Sequence, residues 1–319
     1  MRFFSKNKYL RLGLSILVLI LFCYYFIGNK DKFQPLLNIN PLLLVMISLI
    51  YALSVASNGI FTKLIIKPFN VTISLTEGVF LAIISSVGNF FAPAGAGYGL
   101  RAVYLKRRHG LSYTNYSATL AGYYILSIMI YAILGLVAVL LLRSNEGPNY
   151  IIIALGLTGA LLFSLFFSLV RIPSNKAGGD KGGVAHKVLH FAAMITKGWH
   201  EIYMDHNLLM QLVALTLGSL ALNMIMIGAI VFALHLSTSF AAILLYSVLG
   251  FLSIFFNVTP GNIGIKEGVI LFSASVLGFS LSQVILIAVV ERGMVFLSLL
   301  YLWGISEGIK RKLFGAQPS

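Results

Sequence analysis

Cysteine is almost missing from these 319 residues; the one present is Cys23. A single thiol can form no intrachain disulfide and build no thiolate metal site, and Cys23 lies in an apolar run where it reads as inert. Charge is scarce as well. Only 10% of residues are Asp, Glu, Lys or Arg, where soluble domains carry about a quarter. Acids are scarcest, 9 against 23 Lys and Arg, for a formal net charge of +14. There is no Gly-x-Ser-x-Gly elbow, no P-loop and no Asp-x-Asp pair for a metal-dependent sugar transferase. The expectation is therefore no enzyme and no cofactor. His186 and His190 have helical i,i+4 spacing, with His200 and His206 near, but they lack an acidic partner set, so no metal is expected.

What is abundant is apolar: 59% of the chain. Several runs approach twenty residues, the length that crosses a bilayer as a helix. The expected fold class is an all-α polytopic membrane protein. In that setting the basic excess belongs to cytoplasmic loops that face anionic lipid, and no nucleic acid partner is expected. Full spans are expected at about Tyr9–Gly28, Pro41–Phe61, Asn115–Leu142, Tyr150–Val170, Asn207–Leu234 and Leu281–Trp303. The first follows a basic start without a small-x-small cleavage site and is read as a retained helix. Between Arg171 and His206 lies a polar linker. Its Gly/Lys-rich part, Pro173–Gly183, reads as mobile. Its second part places Val188, Phe191, Ala192, Ile195, Trp199, Ile202 and Tyr203 on one face, the pattern of a helix lying in the membrane interface. The whole chain, residues 1–319, is expected to form a single transmembrane domain.

Two apolar stretches are interrupted. One breaks at Pro93-Ala94-Gly95-Ala96-Gly97, the other at Thr259-Pro260-Gly261 and again at Gly264. Pro removes a backbone donor and Gly loosens the chain, so a helix ends at each. Broken helices at membrane depth are tolerated where the freed backbone is packed in protein or lines a wet cavity. If residues 75–91 crossed fully, the Arg101/Lys106/Arg107/Arg108 cluster would lie outside. If instead 75–108 dips in and returns, nearly all basic residues fall on the cytoplasmic side, together with both termini. The expectation is six full spans plus two re-entrant hairpins, 75–108 and 240–277, entering from opposite sides. Their sequences match loosely: Gly110-Leu111-Ser112 parallels Gly278-Phe279-Ser280, with Gly suited to end a helix and Ser to cap the next. Opposed, similar, broken hairpins are the pattern of an inverted-repeat transporter with a midplane site.

At these residues the sequence resembles the membrane domain of lysyl-phosphatidylglycerol synthases, and more closely its standalone flippase-like members. The matching signatures are Pro93-Ala94-Gly95-Ala96-Gly97 with Arg101-Ala102, then Ala118-Thr119, Pro260 to Gly268, and Glu291-Arg292. Two departures stand out: Tyr123-Tyr124 where the family often carries Glu-Arg, and Asn262 where the second break commonly reads Gly. The resemblance implies a protein of a bacterial-type plasma membrane that moves lipid, or lipid-linked headgroups, between leaflets. No aminoacyl-transferring domain follows the last span, so lipid synthesis of that type is not expected.

Intramembrane charge is costly, about 2.5–3.5 kcal/mol per residue on insertion scales, so the few such residues are the candidates. Lys266 and Glu267 follow the Gly264 kink, where they would bind an anionic headgroup or, in the plainer reading, cap and pair locally. Glu291 and Arg292 point about 100° apart on one helix and need partners elsewhere: Glu267 for Arg292, Lys266 or Arg101 for Glu291. Arg101 offers a guanidinium fork to a phosphate, or else snorkels. Asn89, Asn257 and Asn262 flank the breaks and either satisfy free backbone or line a path. The expected partners are membrane lipids with anionic headgroups. Gly156/Ala160 and Ser164/Ser168 leave a homo-oligomer open. The competing functions are an ion-coupled transporter of a small soluble solute and, less favoured, a membrane enzyme acting on lipid-linked sugar.

Overall fold

A computed structural model describes residues 34–36, 38–93, 95–142, 147–170, 184–256 and 258–315, with side chains between 184 and 191 excepted. The expected first span with Cys23, the Gly/Lys-rich part of the linker, Ala94 and Asn257 lie outside the described residues, as do the side chains of Val188 and Phe191.

The described chain is helical, with no strand among these residues. In order it forms α1 (Pro41–Ile66), α2 (Leu75–Phe91), α3 (Ala96–His109), α4 (Tyr113–Leu141), α5 (Pro148–Leu169), α6 (Val184–Met204), α7 (His206–Ala233), α8 (Phe240–Leu252), α9 (Ile265–Phe272), α10 (Ala274–Leu277) and α11 (Leu281–Phe314). Five of them, α1, α4, α5, α7 and α11, are long and apolar enough to cross a membrane. They coincide with the second to sixth expected spans. The fold is an all-α polytopic membrane fold.

Helix starts follow local chemistry. The Asn40 side chain accepts the Leu42 N–H at 2.9 Å, and Asp205 accepts that of Leu208 at 2.9 Å. Ser74 and Ser239 cap α2 and α8 by taking the amides of Glu77 and Ala242. Ser112 and Ser280 cap α4 and α11 through Asn115 and Gln283. Each cap satisfies one of the amide donors that a helix start leaves free. The caps also expose a register. Asn40 and Asp205, and likewise Ser74 and Ser239, stand 165 residues apart, while Ser112 and Ser280 stand 168 apart. The series α1–α2–α3–α4 thus recurs as α7–α8–α9/α10–α11, with three extra residues at the second break. Gly110 and Gly278 close the two hairpins at φ 70 and 73, the left-handed conformation that Gly adopts without steric cost.

The two hairpins have their feet at opposite ends of the bundle. Two separate apolar cores show it. One joins Ile65 and Ile66 at the end of α1, Leu105 and Leu111 at the foot of the first hairpin, Leu208 and Leu212 at the start of α7, and Ile309 and Leu313 late in α11. The other joins Val139 and Leu142, Ile230 and Leu234, and Ala241, Leu277 and Phe279 at the foot of the second hairpin, with Val284 early in α11. Helix α11 is 34 residues long, about 50 Å at about 1.5 Å per residue, and it runs from one foot to the other. The Arg108 guanidinium sits 4.7 Å from the Phe314 ring at its far end.

Helix α6 departs from its expected setting. Ile195, Trp199 and Ile202, on the face expected to lie in the membrane interface, are buried in protein, while Tyr203 stays exposed. The reason is a close helix crossing: a Cβ on Gly122 of α4 or on Gly198 of α6 would run into the other helix's backbone. Trp199 also donates to the Ser168 carbonyl of α5 at 3.1 Å. What hydropathy reads as a lipid-facing stripe is largely spent on α4, α5 and α7.

Candidate functional site

Both breaks come to the middle of α11. At the tip of the first hairpin, Phe90 and Phe91 pack on Phe296 of α11, with ring centroids 6.2 and 6.4 Å apart. Pro93 and Gly95 lie in the turn, and Gly95 adopts φ 66. Asn89 closes the break by accepting the Gly97 N–H at 2.8 Å. Of the two roles open to it, Asn89 therefore takes the backbone-satisfying one.

At the tip of the second hairpin, Pro260, Gly261 and Asn262 form a 3-10 turn, with Gly261 and Asn262 left-handed at φ 61 and 59 and Gly264 at φ 84. Arg292 of α11 holds this turn, donating to the carbonyls of Gly261 and Asn262. Asn262 donates to Ser253 Oγ at 2.8 Å, and its own side-chain oxygen is buried without a partner among the described residues. The tips touch: the Gly261 position lies against the Phe90 backbone.

Beside the second tip the expected charges form two ion pairs. Arg292 Nε meets Glu267 Oε1 at 2.9 Å, and Lys266 Nζ bonds Glu291 Oε1. Glu267 also serves the backbone, since its Oε2 accepts the Gly264 N–H at 2.8 Å and caps α9. Tyr246 stands over the other pair, its hydroxyl 3.4 Å from Glu291 Oε2 and its ring 5.7 Å from Lys266 Nζ. The carboxylates thus neutralise the cations, and Arg292 binds the broken backbone. An incoming anion could take a carboxylate's place at Lys266 or Arg292; it would add its own charge to the site and leave the freed carboxylate to find a new partner or a proton.

Arg101 does not join this knot. Its alternative partner, Glu291, is taken by Lys266, and Arg101 instead lies buried against α2, with Nε 3.1 Å from Ser85 Oγ. Snorkelling to an interface is excluded by the same burial. Glu77 stands three residues after Ser74, the spacing of a capping box, but the box is only half formed. Ser74 takes the Glu77 amide, but the carboxylate does not return to Ser74; it receives Tyr104 Oη at 2.7 Å, meets His109 Nε2 at 2.7 Å and lies 3.5 Å from Arg108 Nε.

Three cavities surround the tips. One of about 220 Å³ is lined by Lys266 and Glu291 together with Ser54, Ser219, Asn223 and Ser247. A second, about 380 Å³, lies under Gly95 among Tyr98, Tyr124, Phe163 and Phe255 and shares Ile254 with the first. A third, about 750 Å³, is an apolar groove between α5 and the second hairpin that shares Ile128, Phe163 and Phe255 with the second. Its rim carries Ile152 and Phe256, exposed by 53% and 68%, which places it on the apolar outer surface. The polar lining at Ser219 and Asn223 was open to sequence reasoning, since two polar residues one turn apart mark a face of an otherwise apolar span. Tyr246 and Ser253 gave no such signal. Among the described residues, no group of three or more His, Cys, Asp or Glu is placed to hold a metal ion.

The family model described as the lysylphosphatidylglycerol synthase TM region matches residues 9–303. No curated protein and no solved structure matches the chain.

Proposed function

Because this chain belongs to the family of the lysylphosphatidylglycerol synthase TM region, we propose that it is a lipid translocator, moving an anionic or aminoacylated phospholipid, or a lipid-linked headgroup, between leaflets. The supporting observation is the meeting of two opposed hairpin tips on one membrane-crossing helix, with a polar cavity on one side and an apolar groove on the other. A lipid has both kinds of surface. Its phosphate matches Lys266 and Arg292, which would release Glu291 and Glu267 in exchange, and its acyl chains match the groove. In sequence, Asn257 and Asn262 border the same break. A soluble solute would make no use of an apolar groove open to the outer surface.

In this reading the hairpins are re-entrant within a single transmembrane domain, and the end carrying Arg108 is cytoplasmic. Lys63 and Lys67, Lys106 to Arg108, and Lys310 to Arg311 gather there, exposed, as the positive-inside bias requires. With Cys23 replaced by Ser, a membrane-impermeant maleimide applied to intact cells should label Ser275→Cys and leave Arg107→Cys untouched until the cells are opened. Labelling of both from the same side would remove the re-entrant arrangement.

Transport is tested in proteoliposomes with fluorescent lipids whose outer-leaflet signal is quenched chemically. The protein should speed leaflet exchange, and Arg292→Ala should slow it by at least about tenfold, the effect of losing about 1.4 kcal/mol in the transition state. Lys266→Ala and Glu267→Gln should act in the same direction. Exchange that all three substitutions leave unchanged would take these residues off the path. Uptake of a soluble ion or solute with no lipid exchange would favour the solute carrier instead.

A further inference from the structure

We infer that Arg101 anchors a second, separate site, one that binds a phosphate oxyanion between α2, α3 and α4. The Arg101 residue is 2% exposed. Among the described residues no carboxylate lies within ion-pairing distance of it; Glu77, the acid of the neighbouring helix, is already engaged by Tyr104, Arg108 and His109. Its polar partner is Ser85 Oγ, whose own proton goes to the Leu81 carbonyl. Nη1 has no hydrogen-bond partner among the described residues. On α4, the buried Tyr116 lies close enough to Arg101 for its hydroxyl to face the guanidinium, yet neither that hydroxyl nor Nη1 makes a hydrogen bond of normal geometry among the described residues.

The chemistry of these two orphans selects the ligand. A guanidinium N–H can only donate, and a tyrosine hydroxyl can donate beside it. What fits is a group that accepts from both and brings the missing negative charge. A buried cation without a counter-charge is strongly disfavoured, and a tetrahedral oxyanion presents several acceptor oxygens to a guanidinium fork. Tyr98 stands between this pair and a cavity that neither Arg101 nor Tyr116 lines, so a ligand entering from there would have to move its ring. The ring centroid is 5.8 Å from the Arg101 guanidinium carbon, and Tyr98 also walls the 380 Å³ cavity under Gly95. The departure at Tyr123-Tyr124 bears on this. Counted from the caps Ser112 and Ser280, these two occupy the places that Glu291 and Arg292 hold in the second repeat. The first half therefore has no acid where the second half has one, and its arginine is left for a ligand from outside the chain.

The oxyanion could be free phosphate or the phosphodiester of a lipid, and the test separates them. Purified protein in uncharged detergent is melted with inorganic phosphate or with sodium chloride at equal ionic strength. A second arm uses micelles doped with phosphatidylglycerol or with diacylglycerol of the same chains. Phosphate or phosphatidylglycerol should raise the melting midpoint where its control does not; a response to the lipid alone assigns the site to a headgroup, and a response to both opens it to solution. Arg101→Lys should weaken half-saturation by about tenfold or more, since an ammonium lacks the fork, and Tyr116→Phe should weaken it less. A response that the Lys266→Met, Glu291→Leu double variant abolishes while Arg101→Lys leaves it unchanged would belong to the other site. No stabilisation beyond the controls in either arm would overturn the site, as would an unchanged response in Arg101→Lys and Tyr116→Phe. Transport is not measured in either arm, so this site stands or falls apart from lipid translocation.

Discussion

Replacing Lys266 by Met should destabilise the protein by about 3–5 kcal/mol, and adding Glu291→Leu should recover most of that loss. Both side chains are largely buried, at 15% and 10% exposure. Removing one partner leaves the other as an uncompensated charge in a low-dielectric interior; removing both leaves only a change of shape. Thermal denaturation of the two single variants and the double variant reads the coupling directly. Transport separates what stability cannot. If the pair only holds the fold, the recovered double variant should exchange lipid at the native rate. If Lys266 receives the headgroup, the double variant should be stable and inactive. The local geometry is compatible with either outcome, since the neighbouring Glu267 both caps α9 and binds Arg292.

The second large effect is at the first tip. Gly97→Ala should cost about 1–3 kcal/mol, the range for forcing extra atoms into a packed contact. A Cβ there would run into the Ser85 carbonyl and lie 2.7 Å from Asn89 Oδ1, so α3 must move off α2 and strain the hydrogen bond that closes the break. Two residues on, Gly99→Ala should have the opposite sign. Nothing lies within 4 Å of its Cβ, and Ala in place of Gly inside a helix is worth about 0.5–1 kcal/mol. Melting curves of both in one detergent check the contrast; equal destabilisation would mean that the α2–α3 contact at Gly97 is not limiting.

Much of this was legible because the membrane constrains the chain so strongly. Length and hydropathy alone place α1, α4, α5, α7 and α11, and Ser and Gly at helix ends mark the turns. The pairings Arg292–Glu267 and Lys266–Glu291 were reachable by elimination, because so few acids exist to meet the cations. Other features depend on where helices cross, which no local pattern records. The apolar stripe of α6 reads the same whether it meets lipid or α4; the glycines that decide it, Gly122 and Gly198, lie in different segments. Glu77 carries a capping spacing that is only half used, because Tyr104 and His109 arrive from the other arm of the hairpin. The setting of Arg101 is likewise tertiary: Lys266 pairs with Glu291, and Arg101 lies against Ser85 of α2.

Helix α11 puts a limit on how this protein can move. Arg292 and Phe296 are one turn apart on the same face, one seated against Gly261 and the other against Phe90 and Phe91. One helix thus bears both hairpin tips. Any roll of α11 about its length that shifts one contact must shift the other as well, so motion of this helix couples the two breaks.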